Sequence, residues 1–238
     1  YHQKVDASSY ALALDALEAA HKKDPECGLV CTLLSLLYGD NLSMEFTDIE
    51  RTPQRKAREL AREGVRLLPD NPFSHLTLSR VHLLDGKLEE GRSEAGAAYA
   101  LNPDSLMFLD AIGYMLVLLG DWDRGERLIL KAIELNPFYR PFARSALWLN
   151  AFRQRDYERA LTEAERCAAV TYFWGPLSRA ATLGQLGHPG AGSAVGDLLA
   201  MKPGFPSRGR VLIERYIKFP EISGRIIEGL SRAGLKLE

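Results

Sequence analysis

Two histidines seven apart, three cysteines and several carboxylate pairs are the residues here whose types and spacing suit chemistry. His75 and His82 share a face if their segment is helical. The spacing is not the His-x-x-x-His kind that holds one ion between two imidazoles, so both are read as bulky core residues. Cys27, Cys31 and Cys167 make an odd set without a Cys-x-x-Cys pair, which argues against a disulfide framework or a zinc site. A nucleophilic thiol wants a histidine or cation beside it. None is expected here, and the cysteines are read as small hydrophobes. Glu89 and Glu90, and Asp121 and Asp123, fall where helices would begin, and there negative charge complements the helix dipole. No Ser-His-Asp order and no His-Glu-x-x-His string occurs. The glycine-rich stretch His188 to Gly192 lacks the Lys-Ser/Thr ending of a phosphate loop and is read as a turn. The expectation is a non-enzyme with no cofactor and no metal.

Composition sets the wider bounds. Of 238 residues, 46% are apolar and 26% charged, as in a folded chain. A net charge of -1 leaves no basic footprint for nucleic acid. The longest apolar run, Met115 to Leu119, is far short of the roughly 20 residues a bilayer span needs. The first residues do not read as a secretory n-region and h-region, and sparse cysteine leads to the expectation of a reducing, cytoplasmic setting. Because residue 1 is Tyr1, the segment is expected to be part of a longer polypeptide.

Elements that position these residues follow from an internal period. A small residue, a second small residue seven later and a proline five after that recur as Ala13, Ala20, Pro25 and as Ala57, Gly64, Pro69. They return as Gly91, Ala98, Pro103 and Gly125, Ala132, Pro137, and without the proline as Ala160, Cys167, Tyr172. Gly91 follows Ala57 by 34 residues and Gly125 follows Gly91 by 34, as Gly120 follows Gly86. Ala160 lies 35 after Gly125, which puts one extra residue near Phe138–Arg140; the gap of 44 between Ala13 and Ala57 puts a ten-residue insertion in a loop near 41–50. Small residues seven apart occupy one helix face and permit close approach of a neighbour. The proline stops the helix, and Gly86 and Gly120 reverse the chain within a pair. Helices are predicted near 6–23, 28–38, 52–67, 72–84, 88–101, 106–118, 122–135, 140–153, 157–170, 174–185, 191–201, 207–217 and 221–233. Ile222, Ile226, Ile227 and Leu230 give the last an apolar stripe, read as a cap over the end of the stack.

This grammar resembles the tetratricopeptide repeat, most closely over Pro72–Ser105 and Leu106–Tyr139. The resemblance implies an all-α fold, a right-handed solenoid of stacked antiparallel helix pairs. Five to six repeats would fill 1–206, with capping helices in 207–238. It also implies a superhelix whose concave face is lined by the first helix of each pair. The groove-facing places there are Phe73, Leu76, Arg80 and Leu83, then Met107, Asp110, Tyr114 and Val117. Phe142, Ser145, Leu149, Phe152, Arg153 and Trp174 follow. This strip is mainly apolar and aromatic, with Arg80 and Arg153 far apart, unlike the Lys/Asn clamp of family members that hold a C-terminal carboxylate. The expected partner is a protein or peptide, held as a helix or extended segment, or a second copy of the chain, with neither nucleic acid nor membrane. Trp148 departs from the pattern, standing where Ser35, Ser79 and Gly113 are small, and predicts a locally spread pair or a shifted register. The ending FPEISGRIIEGLSRAGLK is similar to the C-terminal arrays of bacterial signalling proteins, in which a nucleotide cyclase or winged-helix domain comes first. That resemblance implies a regulatory or self-association module as the alternative.

Overall fold

A computed structural model describes residues 7–136, 139, 141–167 and 172–238. Among the described residues the chain is all-helical: α1 (Ala7–Lys23), α2 (Gly28–Met44), α3 (Gln54–Leu67), α4 (Pro72–Leu84), α5 (Leu88–Leu101), α6 (Leu109–Leu118), α7 (Trp122–Leu135), α8 (Ala143–Arg153), α9 (Tyr157–Arg166), α10 (Trp174–Leu186), α11 (Ala191–Met201), α12 (Phe205–Tyr216) and α13 (Pro220–Arg232). From α2 to α11 the helices pack as five successive pairs, each first helix also touching the first helix of the next pair. No helix among the described residues is long and apolar enough to cross a membrane.

Local chemistry sets the helix ends. Asn71 caps α4 by accepting the Phe73 N–H at 2.9 Å, with Pro72 in the first turn, and Asp156 caps α9 through the Arg159 N–H at 3.1 Å. Each first helix from α4 onward ends on a left-handed residue: Gly86, Gly120, Arg155 and Gly187. The next residue's N–H then bonds back over the last turn, as Lys87 does to His82, Asp121 to Leu116, Asp156 to Ala151 and His188 to Leu183. Three of the four are glycine, which adopts positive φ freely; Arg155 holds φ 64 with a side chain. Three second helices have acidic residues in the first turn, where the dipole favours them: Glu89 and Glu90 in α5, Asp123 in α7 and Glu158 in α9.

Within a pair, the small residues do what their period predicts. The hydroxyls of Ser35 and Ser79 donate to the second-helix carbonyls of Ala57 (2.7 Å) and Gly91 (2.8 Å). A Cβ on Gly113 would stand 2.7 Å from the carbonyl oxygen of Gly125, so α6 and α7 meet backbone to backbone. At the equivalent place Trp148 is buried and reaches sideways, its indole N–H donating to Thr182 of α10 at 2.9 Å.

Several boundaries differ from expectation. The second helix does not stop at residue 38; α2 runs on to Met44, because Asn41, Leu42 and Ser43 are buried. Asn41 then ties the remaining insertion down, donating to Thr52 Oγ1 (2.8 Å) and accepting from the Thr47 N–H (2.9 Å). Residues 106–108 form a turn, and α6 starts at Leu109. The extra residue expected near Phe138–Arg140 falls where only Tyr139 is described, and the predicted end of the ninth helix at 168–170 also lies outside the described residues.

The C-terminal helices do not extend the stack in line. α12 turns inward against α2 and α4. α13 crosses α10 so closely that a Cβ on Gly184 would collide with the Gly229 carbonyl. Arg225 of α13 donates to the Arg153 carbonyl at 3.0 Å, and the Phe219 ring lies 5.0 Å from that of Trp122.

Arg155→Gly should raise stability by about 0.5–1 kcal/mol, the left-handed penalty less the extra entropy of glycine. A urea titration with unchanged m value reads this, and a loss of stability would show that Arg155 is not strained.

Candidate partner-binding face

The fourteen groove-facing places divide into three groups. Arg80, Tyr114, Ser145, Leu149 and Trp174 converge on the concave side, with Phe142 edge-on to Tyr114 at 5.1 Å. Leu76, Leu83, Asp110, Val117 and Phe152 are buried in the helix stack and offer no surface. Phe73, Met107 and Arg153 lie at the margins. Phe73 is 6.3 Å from Phe108, Met107 is 71% exposed in the turn before α6, and Arg153 sits 4.8 Å over the Trp122 ring. First-helix residues spaced to share a face thus serve different neighbours, because each helix is enclosed by its partner, the next pair and the C-terminal segment.

The concave side is occupied by α12, a placement the sequence reading did not include. Phe205, Leu212 and Ile213 are fully buried and Tyr216 nearly so, at positions i, i+7, i+8 and i+11. Each fully buried apolar side chain contributes on the order of 1.5–3 kcal/mol. Phe205 lies 5.6 Å from Phe173, Tyr216 lies 5.6 Å from Trp174, and the Tyr114 hydroxyl donates to that of Tyr216 at 3.0 Å. Between α12 and the groove wall remains a cavity of about 20 Å³, lined by Tyr114, Tyr172, Trp174 and Ile217 among others and large enough for one water-sized sphere.

Charges frame this apolar seat. Arg80 pairs with Asp40 at 2.5 Å beneath α12. At the C-terminal end of α2, Glu45 faces Arg208 (2.6 Å), Arg215 (3.6 Å) and Lys202 (4.0 Å). Arg215 also donates to the Leu42 carbonyl at 2.5 Å and Lys202 to that of Met44 at 2.9 Å, so cations close the negative end of the helix dipole. Burial lowers the pKa of both Arg215 and Lys202, with Glu45 opposing it. Burial, and then the neighbouring Tyr216 and Tyr172, push the Tyr114 phenol well above its ordinary range. The sequence reading missed Glu45, Asp40, Tyr172 and all of α12's anchors. The stripe Phe205, Leu212, Ile213, Tyr216 was the available signal.

The chemistry-bearing residues differ in their surroundings. His75 is held between Glu94 (2.7 Å) and the Pro69 carbonyl (2.8 Å). His82 is buried, and burial lowers its pKa. Contrary to expectation a histidine does stand near a thiol, His21 Nδ1 lying 3.8 Å from Cys31 Sγ. Burial, then Glu63, nevertheless raises the Cys31 pKa, and burial, then Glu163, pushes Cys167 up to about 12. Among the described residues no group of three or more His, Cys, Asp or Glu is placed to hold a metal ion.

No protein-family model and no curated protein matches this sequence. Among solved structures, a chain in the crystal structure of the APC/C hetero-tetramer Cut9-Hcn1 matches over 95% of this chain with a TM-score of 0.63 and 14% identity. This chain spans 42% of that one's length. YrrB, described as a TPR protein with an unusual peptide-binding site, gives a TM-score of 0.44 at 13% identity over 80% of this chain and 94% of its own. Yeast Tom70 gives 0.44 at 12% identity over 95% of this chain and 54% of its own. With five stacked helix pairs, the α3, α5 and α7 copies of the repeat spaced 34 residues apart, the chain has the tetratricopeptide-repeat fold.

The thiols offer a direct check on burial. In the native protein at pH 8, half-buried Cys27 should react quickly with Ellman's reagent, while Cys31 and Cys167 react only on unfolding. A second fast thiol would contradict the packing of α2 or α9.

Proposed function

We propose that this chain is a non-enzymatic protein-interaction scaffold whose concave face receives a helix from a partner. The observation that carries this reading is α12 itself. Its aromatic and aliphatic anchors fit between Tyr114, Phe173 and Trp174, so the face is shaped and coated for a helix. Aromatic side chains of this kind concentrate binding energy in protein interfaces. Affinity capture from the cells that make the protein tests the proposal. Tyr114→Ala combined with Phe142→Ala should abolish retention of the partner while leaving far-UV dichroism intact, and unchanged retention would remove the concave face from the reading.

A second reading has its own observation. Leu101, Leu135 and Met201 end α5, α7 and α11 and are 40–50% exposed, and Leu106 and Met107 in the turn after α5 are exposed as well. Equivalent positions of stacked repeats form a row along one edge, which suits self-association of a regulatory module in a larger signalling protein. Light scattering separates the two: a monomer at high concentration would count against this edge as a dimer interface.

A further inference from the structure

The ten-residue insertion and the C-terminal helix were separate irregularities in the repeat, yet the structure brings them together. The insertion lengthens α2 to Met44 and places Glu45 just beyond it, on a loop fixed by Asn41. Among the described residues, every cation that meets Glu45 lies on α12 or shortly before it: Lys202, Arg208 and Arg215. We infer that α12 is an exchangeable occupant of the concave face, latched at Glu45, and that the partner is an amphipathic helix repeating its pattern of aromatic, arginine, two aliphatics, arginine and aromatic. The inference rests on the concave-face reading above and names the kind of partner that face takes.

Three features support exchange over permanent closure. α12 has no side-chain cap at its N-terminus, and Pro203-Gly204 precedes it. α13 has its own anchors, its crossing with α10 and Arg225, so α12 can leave, giving up the bond from the Glu238 N–H to the Pro206 carbonyl (3.0 Å), while α13 stays docked. Part of its polar attachment is open to salt: Arg208, which pairs with Glu45 at 2.6 Å, is 46% exposed. A tethered helix competes with any incoming one at a high effective concentration. The unmodified chain should therefore bind a free helix weakly, and weakening the tethered copy should raise apparent affinity by the same factor.

The test uses the full chain and a fluorescein-labelled peptide of residues 203–219, followed by anisotropy. Arg208→Ala with Arg215→Ala weakens the internal helix, while the peptide keeps both arginines and the groove keeps Glu45. The expected result is at least tenfold tighter peptide binding by this variant than by the unmodified chain. Adding Glu45→Gln should remove the gain, and adding Trp174→Ala should remove binding. Amide exchange should quicken in α12 and stay slow in α6 and α10, which also verifies that the variant folds. Quickened exchange with no peptide bound to either chain would overturn the helix partner and the concave-face reading with it. Equal binding to both chains would overturn the latch and leave that reading standing. α12 amides that exchange only with global unfolding in both chains would overturn exchange itself.

Discussion

The contact on which the architecture depends is the approach of one helix backbone to another within a pair. A hydroxymethyl or a lone hydrogen on the first helix meets a carbonyl of the second, as Ser79 meets Gly91 and Gly113 meets Gly125. With so little material between them the axes come close, and crossing geometry is set by backbone shape more than by flexible side chains. The contact recurs at Ser35, Ser79 and Gly113, and its recurrence stacks those pairs in register. The concave face is a product of that stacking, because the first helices then turn a common side inward.

Trp148 shows how the array absorbs an exception. At the position of Ser79 and Gly113 it reaches the next repeat, bonding Thr182 of α10, while its ring packs beside Phe152 of its own helix. Its replacement of a small residue is accommodated because the neighbouring first helix supplies a hydroxyl for the indole N–H, which would be costly to bury unpaired.

Helix number and register were legible in the sequence because they are nearest-neighbour properties. Small residues, terminating prolines and reversing glycines act within a helix or two, and their period reports them directly. The end of α2 was not legible: Gly39, Asp40, Asn41 and Ser43 have the local preferences of a turn, and burial among α4 and the insertion loop overrides them. The candidate face was legible only in part. Tyr114 and Trp174 stand on it, but Leu83, Val117 and Phe152 are enclosed by the stack, and no periodicity states that a C-terminal helix returns to the first pair.

That return alters the kind of object the chain is. A solenoid is ordinarily a line of units that can fray from either end and fold from any point. Here Arg215 bonds the Leu42 carbonyl across 173 positions, joining the last helices to the first pair. While α12 is seated the line is closed into a loop, so the terminal pairs lose their freedom to melt separately, and their unfolding becomes more nearly all-or-none. Closure also raises contact order. The short-range pairs can assemble quickly, but the last step must await residues some 170 positions apart, and it is there that a slow phase of folding belongs.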